Sequence, residues 1–161
     1  AGMSQLAKSR ARRAASLGIV ALLASMAHAD VIYENYTAYH HILVKDNPDR
    51  RILYFDSDAQ TAMSLKDPNA GGFEYTQFFH TAMLLDPSIE NVLFVGLGGG
   101  TGPKSFLANY PKVNIDVAEI DPEVVKVAQK YFHVPEDPRL HIVASDGRTY
   151  LQRSRKTYGA V

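Results

Sequence analysis

The sequence predicts an α/β chain, a small N-terminal β-hairpin subdomain followed by the first half of a doubly wound parallel sheet. Three observations carry that reading. Short β-rich runs separated by Asp, Asn and Pro turns fill residues 31–65. From Gly72 onward, apolar strands alternate with amphipathic helices. A glycine-rich turn, Gly96–Gly102, joins the first of those buried strands to its helix.

The N-terminal elements are set by turn chemistry. Val31-Ile32-Tyr33 is a short β-rich run and Tyr39–Lys45 a second. Asp46-Asn47-Pro48-Asp49 turns the chain, and Arg51–Phe55 returns as the partner strand. Asp56-Ser57-Asp58 makes another turn, leading to Gln60 and the run Thr61–Leu65; Lys66–Gly72 is a loop. Phe73–Leu85 spaces its apolar residues like a helix that Asp86-Pro87 ends.

The remaining elements follow the parallel-sheet pattern. Asn91–Val95 is a continuous apolar strand of the kind buried on both faces. A helix from Pro103 to about Tyr110 follows the glycine turn, with Pro103 suited to a first-turn position. Val113–Ala118 is a second strand that ends in Glu119. Asp121–Phe132 is a helix whose Val124, Val125, Val127, Ala128 and Tyr131 form one apolar face. Leu140–Ala144 is a third strand, ending at Ser145-Asp146-Gly147. A short helix near Arg148–Arg153 leads to Tyr158–Val161, where a fourth strand begins. A sheet ordered 3-2-1-4-5 would then lack its second half, with the strand-one edge uncovered, so the chain reads as incomplete.

Composition narrows the classes of function. Of the 161 residues 46% are apolar and 21% charged, a globular balance that excludes disorder. Lys+Arg 17 against Asp+Glu 17 cancel, but residues 1–29 hold Lys8, Arg10, Arg12 and Arg13 and no acid. Residues 30–161 therefore carry 13 basic and 17 acidic groups, a net of −4 that suits a neutral or cationic ligand better than nucleic acid. The absence of cysteine excludes a disulfide framework, a thiol nucleophile and a Cys-based zinc site. The six histidines show no H-x-x-x-H spacing, and His40 and His41 on adjacent strand positions point to opposite faces, so no metal is expected.

Residues 14–29 (AASLGIVALLASMAHA) carry no Asp, Glu, Lys or Arg, follow a basic stretch and end in Ala27-His28-Ala29. That is the pattern of a signal peptide or a membrane anchor. It divides the chain into 1–29, a β subdomain over 30–71 and the nucleoside-binding sheet over 72–161. A membrane-associated or exported location follows from the first segment, with a cytoplasmic one as the alternative.

The chemistry concentrates at three strand ends. Gly96, Gly98 and Gly100 lie where glycine lets the backbone turn sharply under a ligand, with a helix N-terminus facing it. Glu119 lies 19 residues beyond Gly100, where a carboxylate can accept both hydroxyls of a ribose. Asp146, followed by Gly147, ends the third strand within reach of an adenine edge. A dinucleotide fingerprint starting at Gly96 would need glycine at position 101, where Thr101 stands. The observed spacing G-x-G-x-G is instead that of Rossmann-like, class I adenosylmethionine-type enzymes. Lys104 lacks the preceding G-x-x-x-x-G of a phosphate-binding loop.

From Tyr33 to Val161 the chain resembles the polyamine aminopropyltransferases, the spermidine synthase family. The resemblance rests on Tyr39, Ile42 and Val44, on Gln60 after its turn, on Tyr75, on the glycine loop, on Glu119-Ile120-Asp121 and on Asp146-Gly147. It implies a transferase that moves an aminopropyl group from decarboxylated S-adenosylmethionine to a polyamine such as putrescine. In that scheme Gly96, Gly98, Gly100 and Glu119 hold the nucleoside, Asp146 and Gly147 meet its adenine, and Gln60 and Tyr75 line the cleft between the subdomains. A homo-oligomer is implied for the complete protein. Position 99, usually an aspartate that binds the donor amine in the family, is Gly99 here, and Thr76 and Gln77 replace the usual His or Gln and Glu. The family's catalytic aspartate is expected beyond Val161, so no catalytic residue is assigned within the chain. Gly99 keeps S-adenosylmethionine-dependent methyl transfer as an alternative, beside a non-catalytic nucleoside-binding fragment.

Overall fold

A computed structural model describes residues 29–70 and 72–161. The segment expected to be a signal peptide or anchor lies outside these residues except for Ala29. No helix among the described residues is long and apolar enough to cross a membrane.

Strands β1 (Asp30–Tyr36), β2 (His41–Asp46), β3 (Arg50–Phe55) and β4 (Asp58–Ser64) form an antiparallel meander in chain order. Alternation sends Ile42, Val44 and Leu53 inward, where each is fully buried. The β2–β3 turn is held by Asn47, whose side-chain oxygen accepts from the amides of Asp49 and Arg50. At the β3–β4 turn Asp56 adopts φ 55°, a left-handed conformation that Asp tolerates better than most residues. The second strand begins two residues later than Tyr39. The Thr37 hydroxyl accepts from the amides of Tyr39 and His40 and so holds residues 37–40 in a turn.

Phe73–Leu85, expected to be one helix, is a 3-10 segment over Glu74–His80 followed by α1 (Thr81–Leu85). Both the amide and the hydroxyl of Thr76 donate to the Phe73 carbonyl, an i to i+3 pattern that starts the tighter coil. Aromatic crowding at residues 73, 75, 78 and 79 also disfavours a regular α-helix.

Strands β5 (Asn91–Val95), β6 (Asn114–Glu119) and β7 (Leu140–Ala144) form the parallel sheet in the order β5-β6-β7. Helices α2 (Thr101–Asn109), α3 (Pro122–Phe132) and α4 (Gly147–Arg153) follow them in turn. The core gathers Ile115 and Val117 of β6 with Val124, Val127, Ala128 and Phe132 of α3. Tyr131, expected on that apolar face, sits at its margin with its ring 5.3 Å from that of Tyr33. The edge of β5 is not bare: Ala160 pairs with Val92 in parallel, and its carbonyl accepts from the Leu93 amide. The fourth β segment thus lies beside β5, giving the start of a doubly wound order.

Polar contacts fix the antiparallel meander to α3 and tie α2 to the same helix. The Tyr33 hydroxyl donates to Glu123 at 2.7 Å, and the Thr37 hydroxyl donates to Asp121, the buried cap of α3. Arg51 grips Asp46 through two nitrogens and also donates to the Tyr131 carbonyl at 2.9 Å. Lys104 donates to the Phe132 carbonyl at 2.7 Å, at the C-terminal end of α3 where a cation satisfies an otherwise unpaired acceptor. Burial pushes its ammonium below the usual lysine range.

Asp116 anchors the C-terminal segment to β6. Its buried carboxylate accepts from the hydroxyls of Tyr158 at 2.6 Å and Tyr150 at 3.1 Å and from the Lys156 ammonium at 2.7 Å. Burial opposes ionisation, but the hydrogen bonds from Lys156, Tyr158 and Tyr150 outweigh it and hold the carboxyl below its ordinary value. Its contribution to stability is therefore full above the unfolded-chain value, near pH 4, and is lost as the pH falls toward the lower folded value. Asp116→Asn should cost about 1–2 kcal/mol at neutral pH by urea unfolding, with the gap to wild type closing below about pH 4.

Candidate active site

The site forms where the parallel strands end. Val95 and Glu119 close β5 and β6, and the pairing of Val95 with Ala118 sets the two ends side by side. The chain must then leave β5 sharply, and Gly96, Gly98 and Gly100 do so with positive φ of 95°, 54° and 73°. The Gly96 amide returns to the Ala118 carbonyl at 2.8 Å, which ties the loop to the neighbouring strand. Glu119 completes the tie. One of its oxygens accepts from the Leu97 amide at 2.7 Å and the other from the Asp121 amide at 3.0 Å. The carboxylate is nearly fully buried, yet it borders the cleft above the strands. Each oxygen keeps a lone pair free for a hydroxyl group.

That cleft has a volume of about 770 Å³ and runs between the two sheets. It brings together Gly96, Gly98, Glu119, Gln60 and Tyr75. Gln60 stands in β4 and donates to the Asp58 carbonyl at 3.3 Å, while the Tyr75 hydroxyl reaches the Gln60 carbonyl at 3.5 Å. Both come from outside the parallel sheet, so the antiparallel meander and the 3-10 segment form the roof.

Three expected residues lie elsewhere. Gly100 caps α2 and faces Val134. Asp146 is exposed at the start of α4, where its carboxylate accepts from the Thr149 amide at 2.8 Å. That backbone bond holds the carboxyl below its ordinary value. Gly147 is buried and packs on Val95, and it does not line the cleft.

Other cleft residues were not singled out by their sequence pattern. His40 stacks on Phe55 with ring centroids 4.2 Å apart, and both border the cleft. Thr61 accepts from the buried Gly99 amide at 2.9 Å and thereby couples β4 to the glycine loop. Its place next to Gln60 was the one available signal. Phe79 packs edge-on against Phe94 at 5.6 Å beneath the roof. Lys104 turns away from the cleft toward Phe132, in keeping with the missing phosphate-loop pattern. No three of His, Asp or Glu among the described residues are grouped to hold a metal ion.

A glycine loop after the first parallel strand, an acid at the end of the second and a cleft above them define a Rossmann-like α/β domain. Comparison with known proteins places it more closely. The model of the spermine/spermidine synthase domain matches residues 73–161, and the chain belongs to that family. It is 29% identical over 135 residues to a polyamine aminopropyltransferase of Vibrio vulnificus (strain CMCP6), spanning 81% of this chain and 45% of that protein. The crystal structure of spermidine synthase from Thermotoga maritima superposes with a TM-score of 0.67 at 26% identity, over 80% of this chain and 44% of that one. A shorter stretch of 67 residues is 46% identical to an eEF1A lysine and N-terminal methyltransferase homolog of Drosophila melanogaster, 41% of this chain and 10% of that protein. The chain thus spans less than half the length of these relatives.

Proposed function

We propose that this chain carries the donor-binding half of a polyamine aminopropyltransferase, which moves an aminopropyl group from decarboxylated S-adenosylmethionine to a polyamine such as putrescine. The observation that carries it is the Glu119 carboxylate, tied to the glycine loop through the Leu97 amide and still open to the cleft. Ribose hydroxyls would bond to Glu119, and the sulfonium end would lie over Gly96 and Gly98. Asp146 and Gly147, outside the cleft wall, would meet the adenine only at its outer edge.

The amine nitrogen attacks the carbon next to the sulfonium. The carbon–sulfur bond breaks, its electron pair goes to sulfur, and methylthioadenosine leaves as a neutral thioether while the alkylated amine releases a proton to solvent water. The donor is already activated, so alignment of the reactants supplies most of the rate. In this reading Glu119 holds the ribose and does not take the proton, because its oxygens are shared between the two backbone amides and the ribose hydroxyls. Family membership and the match to a polyamine aminopropyltransferase support this reading, as does the shared fold. A homo-oligomer of the complete protein belongs to the same proposal.

The test supplies the full-length protein with decarboxylated S-adenosylmethionine and putrescine and looks for spermidine and methylthioadenosine in equal amounts. Their appearance is expected; a protein that binds the donor and forms neither would contradict the reading. Methyl transfer is the second reading, and Gly99 together with the Drosophila methyltransferase likeness favours it. Tighter binding of adenosylhomocysteine than of methylthioadenosine would select it.

A further inference from the structure

If the cleft is a nucleoside site, its ligand brings positive charge, on the sulfonium and on the ammonium of the aminopropyl tail. Among the described residues lining the cleft, Glu119 is the one carboxylate, and it is committed to two backbone amides and the ribose end. A side chain at position 99 has no room: a Cβ there would lie 2.6 Å from the Thr61 methyl and 3.0 Å from the Phe132 ring. The glycine loop therefore presents backbone and no acid.

What the cleft offers beyond the loop is aromatic. The rings of Phe73 and Tyr75 lie 6.3 Å apart at 28°, and Phe79 meets Tyr75 at 5.9 Å and 81°. Phe79 reaches this place because residue 102 is glycine. A Cβ on Gly102 would sit 3.1 Å from two atoms of the Phe79 ring and 2.7 Å from Phe94. Ring faces attract cations through their quadrupole, and the attraction grows where water is excluded. We propose that Phe79, with Phe73 beside Tyr75, is a specificity-determining residue that selects a positively charged nucleoside tail through aromatic faces, in the place a carboxylate would otherwise fill. This rests on the nucleoside reading of the cleft and adds to it the means of telling a cation from a neutral thioether.

The test compares two nucleosides on the full chain, decarboxylated S-adenosylmethionine and uncharged methylthioadenosine, by calorimetry on wild type and Phe79→Leu. The variant should lose about 3- to 10-fold in affinity for the cationic nucleoside and stay within about twofold for methylthioadenosine. Phe79→Tyr should restore the difference. Retained methylthioadenosine binding also reports that the variant is folded, and Phe73→Leu gives the same comparison if Phe79→Leu does not fold. Equal losses for both nucleosides, or no loss for either, would show that the rings only pack, and would overturn the inference while leaving the nucleoside site intact. A wild-type protein that binds neither nucleoside would overturn the nucleoside reading and this inference with it.

Discussion

Glu119→Ala is expected to weaken methylthioadenosine binding by about 100-fold, measured by calorimetry on the folded variant. Two hydrogen bonds from ribose hydroxyls to a carboxylate contribute about 3 kcal/mol together, which is that factor in the dissociation constant. The loss has a second source. In wild type the same carboxylate accepts from the Leu97 amide, and removing it frees the loop that must lie under the ligand. Glu119→Gln should rescue only part of the affinity. Its amide has one acceptor oxygen for two backbone donors, so its NH2 must face either Leu97 or Asp121. Unchanged affinity in Glu119→Ala would remove the ribose from this position.

Gly100→Val should be the most damaging change to stability, at about 3 kcal/mol by urea unfolding. A β-branched residue at φ 73° is strained by about 1–2 kcal/mol. The new Cβ would also lie 2.3 Å from a Val134 methyl, and overpacking of this kind costs about 1–3 kcal/mol. Gly96→Ala isolates the conformational part. Gly96 has φ 95°, but a Cβ there meets nothing within 4 Å, so only about 1 kcal/mol is expected. Equal effects at the two positions would contradict the packing role of Gly100.

The parallel half of the fold was the more legible in sequence because each element there is marked by its own residues. Asn91–Val95 and Leu140–Ala144 are strands at the expected bounds, since short apolar-rich runs flanked by polar residues leave little freedom in where pairing stops. Asp121 marked a helix start and caps it, its side chain accepting from the Glu123 amide. Asp146, read as the end of a strand, is instead the cap of a helix that begins one residue before the expected Arg148. Phe73–Leu85 was legible only as helical. The choice between 3-10 and α was made by the Thr76 bonds to one carbonyl, which apolar spacing does not encode.

The candidate site divides along the same line. Gly96, Gly98 and Glu119 were visible because strand ends and glycine turns recur in order along the chain. Thr61, His40 and Phe55 were not, because they reach the cleft through the packing of one sheet on the other. Gly100 and Gly147 pack against Val134 and Val95 and do not line the cleft, so a motif alone did not separate cleft-lining from packing glycines.

The central claim is that a nucleoside lies across the glycine loop with its ribose on Glu119. The most direct measurement is amide chemical-shift mapping of the full chain on addition of methylthioadenosine. The expected result is saturable shifts at Gly96, Leu97, Gly98 and Asp121, with Thr61 and Tyr75 following and the outer strand β1 unmoved. Saturable shifts confined to other surfaces, or none at millimolar nucleoside, would contradict it.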